Sequence, residues 1–130
     1  MRFCLVLLMS MLVVSFKAHA DNAELAQLAA QDQTDRAEKE GEWGDNARRK
    51  RVLELLATGA VSTPQDKLNA ALILQHTPGR VCEGKLGSVS PENYLLAHYL
   101  AKAALDAGLE GAKQMVAVTI DRYLSFTEGR

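Results

Sequence analysis

The sequence predicts an all-α fold of about five helices in antiparallel hairpins, with tetratricopeptide-like packing. Glycine and proline fall almost entirely between segments rich in alanine, leucine, glutamate, glutamine, lysine and arginine, the residues that form helices most readily. Few stretches alternate apolar and polar residues as a half-buried strand would. The composition, 48% hydrophobic and 24% charged, excludes a disordered chain and a disulfide scaffold. The length of 130 residues fits one small domain.

Residues 1–20 have the pattern of a cleaved secretory signal peptide. Arg2 supplies the positive charge, an apolar run follows from residue 4 to residue 16, and Ala18-His19-Ala20 is the cleavage pattern. An N-terminal membrane anchor is the alternative, but the run is shorter than the roughly 20 residues that span a bilayer. The sequence therefore predicts a bacterial protein exported to the periplasm or the medium. It would keep a single helical domain over residues 21–130 and no stable membrane span after cleavage.

Charge and cysteine content restrict the partners of the exported domain. The formal net charge of −1 becomes more negative once Arg2 and Lys17 are removed. An acidic domain is a poor candidate for nucleic-acid binding, which depends on neutralising phosphates.

After cleavage of the signal peptide, Cys82 is the one remaining cysteine. It lies in a segment over residues 80–89 that we expect to be an exposed loop. The thiol is therefore inert, bonded to another chain, or reactive.

Helical spacing and capping residues place the first three helices. The first covers about residues 22–38, and a glycine-rich break follows in which Trp43 is expected to enter the core. The second covers about residues 46–57, with Asp45 as its N-cap. The third begins at Thr63, which is followed by a proline and, two residues further on, by an acid. Residues expected on the inward faces are Leu25, Leu28, Ala29, Val52, Leu53, Leu56, Leu68, Ala71, Leu72 and Gln75.

The last two helices are expected to form a tight hairpin. The fourth starts with Ser90-Pro91-Glu92 and stops at Gly108, and the fifth covers about residues 110–125. A link of two or three residues leaves room only for antiparallel neighbours. Small residues on the facing sides would allow the helices to approach closely, and these are Ala97, Ala101, Ala104, Ala112 and Ala117.

Two charged segments could be either solvated surface or part of a site. Asp32 and Arg36 are spaced i,i+4, which is typical of an exposed salt-bridged helix face. The basic run over residues 48–51 opens the second helix, with Arg48 in reach of Asp45 or Glu42. This run is either a solvated face or a site for an anion. The second alternative is possible because a guanidinium can bind a carboxylate through two hydrogen bonds.

Histidines and an adjacent acid–base pair supply the remaining candidates. His76 and His98 lie on different helices and could share a metal with Asp35 or Asp121. No ligand pair has i,i+4 spacing, so a buried, hydrogen-bonded histidine is favoured and neither a metal nor a cofactor is predicted. Asp121 and Arg122 point to different helix faces. We expect one of them to face inward and to join a polar network with the first helix.

These residues resemble an ordered set of family motifs, which cover most of the exported chain. They are Asp32-Gln33-x-Asp35-Arg36, Asp45 with Arg48-Arg49-x-Arg51-Val52, Asp66 with Ala70-Ala71, Gln75-His76, Tyr94-Leu95-Leu96-Ala97-His98-x-Leu100-Ala101, and Thr119-x-Asp121-Arg122-x-Leu124. The pattern is similar to that of a bacterial family of secreted helical proteins, domain of unknown function 6624. The family's Tyr-Gly-Thr-Gln tail motif has no counterpart in this chain.

The resemblance implies a helical, often secreted domain and brings no established activity. It implies that the polar residues of the motifs share one site, to which we add His98 as a candidate. The predicted binding residues are Gln33, Asp35, Arg36, Gln75, His76, His98, Asp121 and Arg122.

Two functions are compatible with these residues. The first is a binding or interaction module for a protein, a peptide or a small anion, because helical hairpins bury one face and present a groove on another. The alternative is a hydrolase-like enzyme in which His76 is the general base, oriented by Asp35 or Asp121. No serine or cysteine stands in a recognisable nucleophile motif. The sequence leaves the ligand and the oligomeric state open.

Overall fold

The computed structural model describes residues 19–38 and 44–128. Five α-helices and one two-stranded antiparallel hairpin make up this part of the chain. In order they are α1 (Ala23–Ala37), α2 (Asp45–Ala57), α3 (Pro64–Leu74), β1 (Gly79–Cys82), β2 (Lys85–Ser88), α4 (Glu92–Asp106) and α5 (Lys113–Thr127), with a single 3₁₀ turn over Glu110–Ala112 before α5. The all-α prediction of about five helices is confirmed. Trp43 and the predicted signal peptide, apart from its last two residues, lie outside the described residues.

Helix α3 lies at the centre of the packing and contacts α1, α2 and α4. Helix α4 packs against both α3 and α5, so the predicted neighbours α4 and α5 do meet. Aliphatic and alanine side chains fill the core, and the fully buried members of the main cluster are Leu25, Val52, Ala70, Ala71, Leu74, Ala97 and Ala101. No helix in residues 19–38 and 44–128 is long and apolar enough to cross a membrane.

The start of α3 is tied to the start of α1 by one buried carboxylate. Thr63 caps α3 through its hydroxyl, which accepts a hydrogen bond from the backbone N–H of Asp66, as its sequence position predicts. Asp66 in turn accepts from the backbone N–H groups of Ser62, Thr63 and Asn22, the last at 2.7 Å. Asn22 caps α1 by accepting from the N–H of Leu25. The two helix starts are therefore fixed together by satisfied backbone donors.

Helix α2 departs from two expectations. The prediction that Asp45 is the N-cap is wrong, because Gly44 occupies that position and Asp45 is the first helical residue. The Asp45 carboxylate turns instead toward neighbouring guanidinium groups, which are stronger partners than a backbone N–H. Leu53 is 40% exposed rather than inward, and Leu55 is the buried residue of that turn. The inner face of α2 also carries three buried charged residues, Asp45, Arg48 and Arg49.

Residues 79–88 form a β-hairpin, so the prediction of a loop over residues 80–89 is wrong. The strands are joined by Glu83 and Gly84, and both have positive φ, of 52° and 75°. A two-residue turn with both φ values positive matches the right-handed twist of the paired strands. Cys82 pairs with Lys85 across the hairpin and is exposed, as the sequence predicted.

The α4–α5 pair keeps most of its expected small-residue contact. Ala97, Ala101, Ala104 and Ala112 are fully buried, as predicted. Ala117 is exposed, so its predicted place in this contact is wrong; the buried residue of that part of α5 is Thr119. The Thr119 hydroxyl donates to the carbonyl of Met115, which satisfies its polar atom inside the helix.

Candidate functional site

A fully buried aspartate, Asp32, is the centre of a polar cluster between α1, α2 and the end of α3. It lies on the inner face of α1, one turn beyond Ala29. Its carboxylate is 2.9 Å from Nδ1 of His76, and it accepts a hydrogen bond from Nε2 of Gln33 at 2.8 Å. Nε of Arg36 approaches the same oxygen at 3.4 Å. A carboxylate so deep in the fold needs these partners, because an unpaired buried charge is costly.

Two guanidinium groups connect Asp32 to two further carboxylates. Arg36 donates through Nη2 to Asp45 at 2.8 Å. Arg48 donates to Asp45 at 2.8 Å and to Asp35 at 2.6 Å. The pairing of Arg48 with Asp45 is one of those considered from the sequence. The predicted solvated face is therefore wrong for Arg48, which is only 5% exposed.

Hydrogen bonds and positive charge around Asp32 and Asp35 favour the ionised form of these two carboxyl groups. Burial raises the pKa of Asp32, but the hydrogen bond and charge of His76, with the charge of Arg36, outweigh it and leave that pKa below its usual value. Hydrogen bonds from Gln31 and Arg48 likewise lower the pKa of Asp35. The carboxylates are consequently acceptors at neutral pH, and the guanidinium groups that face them are held in fixed positions.

His76 is fixed on both ring nitrogens. Arg36 Nε lies 2.8 Å from Nδ1, on the side where Asp32 also approaches. Nε2 lies 2.9 Å from the side-chain nitrogen of Gln75. With the proton on Nδ1, the ring donates to Asp32 and accepts from the Gln75 amide; with the proton on Nε2, it accepts from Arg36 and donates to a reversed Gln75 amide. In both cases, the polar atom of the Gln75 carboxamide that does not face His76 has no hydrogen-bond partner among the described residues.

An open polar cleft of about 470 Å³ lies beside the cluster. Its lining includes Arg36, Asp45 and His76, and also Arg122 from α5. Arg122 donates to the backbone carbonyl of Gln75 at 2.5 Å and makes no ion pair with any residue of the described ranges. The Arg36 side chain keeps 31% of its surface exposed. We call this space the cationic cleft.

A second cavity of about 400 Å³ lies between α1, α3 and α5. Its apolar wall consists of Leu68, Leu72, Met115 and Val118. Four side-chain carboxamides surround that wall, those of Gln33, Asn69, Gln75 and Gln114. Gln75 is 6% exposed, and its Oε1 has no hydrogen-bond partner among the described residues. We call this space the amide-lined cavity.

The structure brings together six of the eight predicted binding residues. Gln33, Asp35, Arg36, Gln75, His76 and Arg122 all belong to the cluster or to the two cavities. His98 lies elsewhere, with Nδ1 3.0 Å from the carbonyl oxygen of Val116. Asp121 is exposed and has no hydrogen-bond partner in the described part of the chain. The inward member of the Asp121–Arg122 pair is Arg122, and it reaches α3 rather than the expected first helix.

Three residues of the cluster were missing from the predicted set: Asp32, Asp45 and Arg48. A signal for them exists in the sequence, because each continues an apolar stripe at helical spacing. Asp32 follows Leu25 and Ala29, and Arg48 precedes Val52 by one turn. A charged residue on the inner stripe of a helix must find a partner inside the fold. Asp32 with Arg36, and Asp45 with Arg48, are also spaced as surface ion pairs are, and this spacing favours an exposed position in the sequence analysis.

The carboxylate that contacts His76 is Asp32 and neither of the predicted partners, Asp35 and Asp121. Asp35 is bonded to Arg48, and Asp121 is on the surface. Within residues 19–38 and 44–128, no three histidine, cysteine, aspartate or glutamate side chains are grouped as metal ligands. The arrangement offers fixed guanidinium donors beside an open cleft, which is the chemistry of anion binding.

A comparison of the chain with known protein families, curated proteins and solved structures found no match. The resemblance to domain of unknown function 6624 therefore stays a prediction.

Proposed function

We propose that this protein is an exported binding module that holds a carboxylate in the cationic cleft. The observation that carries the proposal is Arg122, which lines the cationic cleft together with Arg36. Arg122 uses one nitrogen on a backbone carbonyl and has no carboxylate partner in the described ranges. A guanidinium with unused donors at the edge of an open cleft is the arrangement that binds carboxylates bidentately.

Charge balance in the cleft favours an anion. Asp45 is the one carboxylate among the described lining residues, and it already accepts from Arg36 and Arg48. Arg36 is itself paired with Asp45 and lies beside Asp32, so Arg122 supplies the positive charge of the lining that no described carboxylate balances. Such a cleft concentrates field lines and attracts ligands of opposite charge. A carboxylate would replace water on donors that the protein has already oriented, so little side-chain entropy is lost on binding.

Hydrolysis is the second candidate function, and the contact between His76 and Asp32 is the observation that favours it. A carboxylate on Nδ1 would fix the tautomer that makes Nε2 a base. The Nε2 atom, however, contacts the Gln75 amide and not a serine, threonine or cysteine. A general base must reach the proton it removes. The contacts of His76 therefore support a positioning role better than proton transfer.

The test is an NMR titration of the protein with acetate, at an ionic strength held constant with chloride. We expect saturable shifts at Arg36, His76 and Arg122. Arg122→Gln should weaken acetate binding about tenfold, because it removes a charge-assisted bidentate contact. Lys113→Gln is the matched control, since it removes the same charge from an exposed position on the same helix. Equal acetate binding by the two variants would contradict the proposal.

Export also belongs to the proposal and has its own measurement. The mass of the protein recovered from the periplasm or the medium of a bacterial host should correspond to residues 21–130. A full-length mass in the membrane fraction would instead favour the N-terminal anchor.

A further inference from the structure

We infer that the ligand of the cationic cleft is the C-terminus of a peptide, with an apolar side chain near that terminus held in the amide-lined cavity. This inference rests on the proposed function, because it takes the carboxylate site as its starting point. It adds a second site, a ligand class and a direction of binding.

The two cavities follow each other along the same three helices. On α5, Val118 lines the amide-lined cavity and Arg122, four residues later, lines the cationic cleft. On α1 the corresponding pair is Gln33 and Arg36, three residues apart. Residues with these spacings are neighbours on a helix surface, with Cβ atoms about 5–6 Å apart. The two cavities are therefore about one helical turn from each other.

The segment that follows α3 also joins the two cavities. Gln75 lines the amide-lined cavity, and His76, the next residue, lines the cationic cleft. An extended peptide advances about 3.3 Å per residue. A terminal carboxylate in the cleft would thus place the side chain of the last or the penultimate residue at the cavity. Apolar contacts there would come from Leu72, Met115 and Val118.

The carboxamides distinguish a peptide from other amphiphilic carboxylates. Gln75 is buried, and its Oε1 is an acceptor with no partner among the described residues. Whichever nitrogen of His76 carries the proton, one half of this carboxamide remains without a hydrogen-bond partner among the described residues. An amide oxygen or nitrogen without a partner can form a hydrogen bond with the N–H or the C=O of a peptide bond. A fatty acid has no peptide bond. An unsatisfied buried polar atom costs stability that such a ligand would recover.

Gly111 provides a variant that would fill the amide-lined cavity from its edge. A Cβ atom at this glycine would have no heavy atom within 4 Å, and its φ is not in the left-handed region. Gly111→Leu is therefore compatible with the backbone, and we expect the added side chain to occupy part of the cavity that Gly111 lines. Ala47→Leu is the matched control, because it adds a leucine to an exposed position of α2.

The experiment measures the binding of N-acetyl-Ala-Leu-Leu with a free carboxylate by calorimetry. We expect its C-terminal amide to bind about tenfold more weakly, since one charge-assisted contact is lost. Gly111→Leu should also weaken peptide binding about tenfold, while its acetate titration stays unchanged, because about 1.4 kcal/mol of apolar contact is removed. Arg122→Gln should lose affinity for both ligands, and Ala47→Leu for neither.

The outcomes separate this inference from the proposed function. Equal affinities for N-acetyl-Ala-Leu-Leu and N-acetyl-Ala-Ala-Ala, or no effect of Gly111→Leu, would overturn the peptide inference and leave the carboxylate site standing. Octanoate that binds as tightly as the leucine peptide would identify an alkyl carboxylate as the ligand and would also overturn it. If the wild-type protein binds neither acetate nor any of the peptides, the proposed function fails as well.

Discussion

At the scale of single residues, Asp32 is the buried centre of the polar cluster. It is fully buried, and it contacts groups from three segments, Arg36, Arg48 and His76. Removal of one member of a buried ionic cluster leaves the remaining charges without compensation. Asp32 is therefore more important for stability than its position in an apparent surface pair indicates.

Asp32→Asn should lower the free energy of unfolding by about 3–5 kcal/mol, because it neutralises the central carboxylate and leaves buried guanidinium charge unbalanced. Urea unfolding at pH 7 measures this. Asp106→Asn is the control, since that carboxylate is exposed and pairs with Lys102 on one helix. It should cost no more than about 0.5 kcal/mol. Equal losses in the two variants would show that Asp32 has no special role.

At the scale of elements, the boundaries of the helices follow from local chemistry. Thr63 and Asp66 form a reciprocal capping box, and Pro64 occupies the first turn, where its missing N–H costs nothing. The hairpin also has a local signal, because glycine at the second position of a two-residue turn favours paired strands. Its strands are short and exposed, so no apolar alternation marked them. This is why periodicity predicted a loop there.

Thr63→Ala should destabilise the protein by about 1 kcal/mol, because the hydroxyl satisfies a backbone N–H that the helix itself leaves unpaired. The same hydroxyl donates to Asp21 at 2.6 Å, which adds to the loss. Thermal unfolding compares this variant with Thr34→Ala, an exposed position inside α1. The control should keep or slightly increase stability, since alanine is the better helix former. The opposite ranking would argue against the capping role.

At the scale of the whole molecule, two buried carboxylates make stability depend on acid. Burial raises the pKa of Asp66, but backbone hydrogen bonds from Asn22, Thr63 and Ser62 outweigh it, so this pKa lies below its usual value. The pKa of Asp32 is also lowered. A carboxyl group with a lower pKa in the folded state stabilises the fold above its unfolded-state value, near 3.9. That contribution disappears as the pH falls through the folded-state pKa.

We therefore expect the free energy of unfolding to be nearly constant from pH 7 to about pH 5 and to fall steeply below about pH 4, because protons then bind preferentially to the unfolded chain. Urea titrations at a series of pH values measure this profile. In Asp32→Asn the acid-dependent part should be smaller, since one of the contributing carboxyl groups no longer titrates. An identical pH profile in that variant would contradict the assignment of this effect to Asp32.

The site could be predicted in part from the sequence. Gln75, His76 and Arg122 are among the binding residues that the family resemblance implies, and all three line the two cavities. His98 and Asp121 were grouped with them but lie outside the site, because the sequence gives no rotation of α4 and α5 about their axes. A rotation of one residue moves a side chain by about 100° around the helix, which is enough to take it out of a cleft.

The sequence by itself determined the helical class, the positions of the helices and the capping of α3. These depend on interactions between residues no more than about four positions apart, and such residues are visible together in the sequence. Tertiary structure alone decided which polar groups meet: Asp32 and His76 are separated by 44 positions, and Arg122 and the carbonyl of Gln75 by 47. Their pairing depends on how α1, α3 and α5 pack. Packing determines which partner lies beside each buried polar group, and a buried charge without a partner is costly.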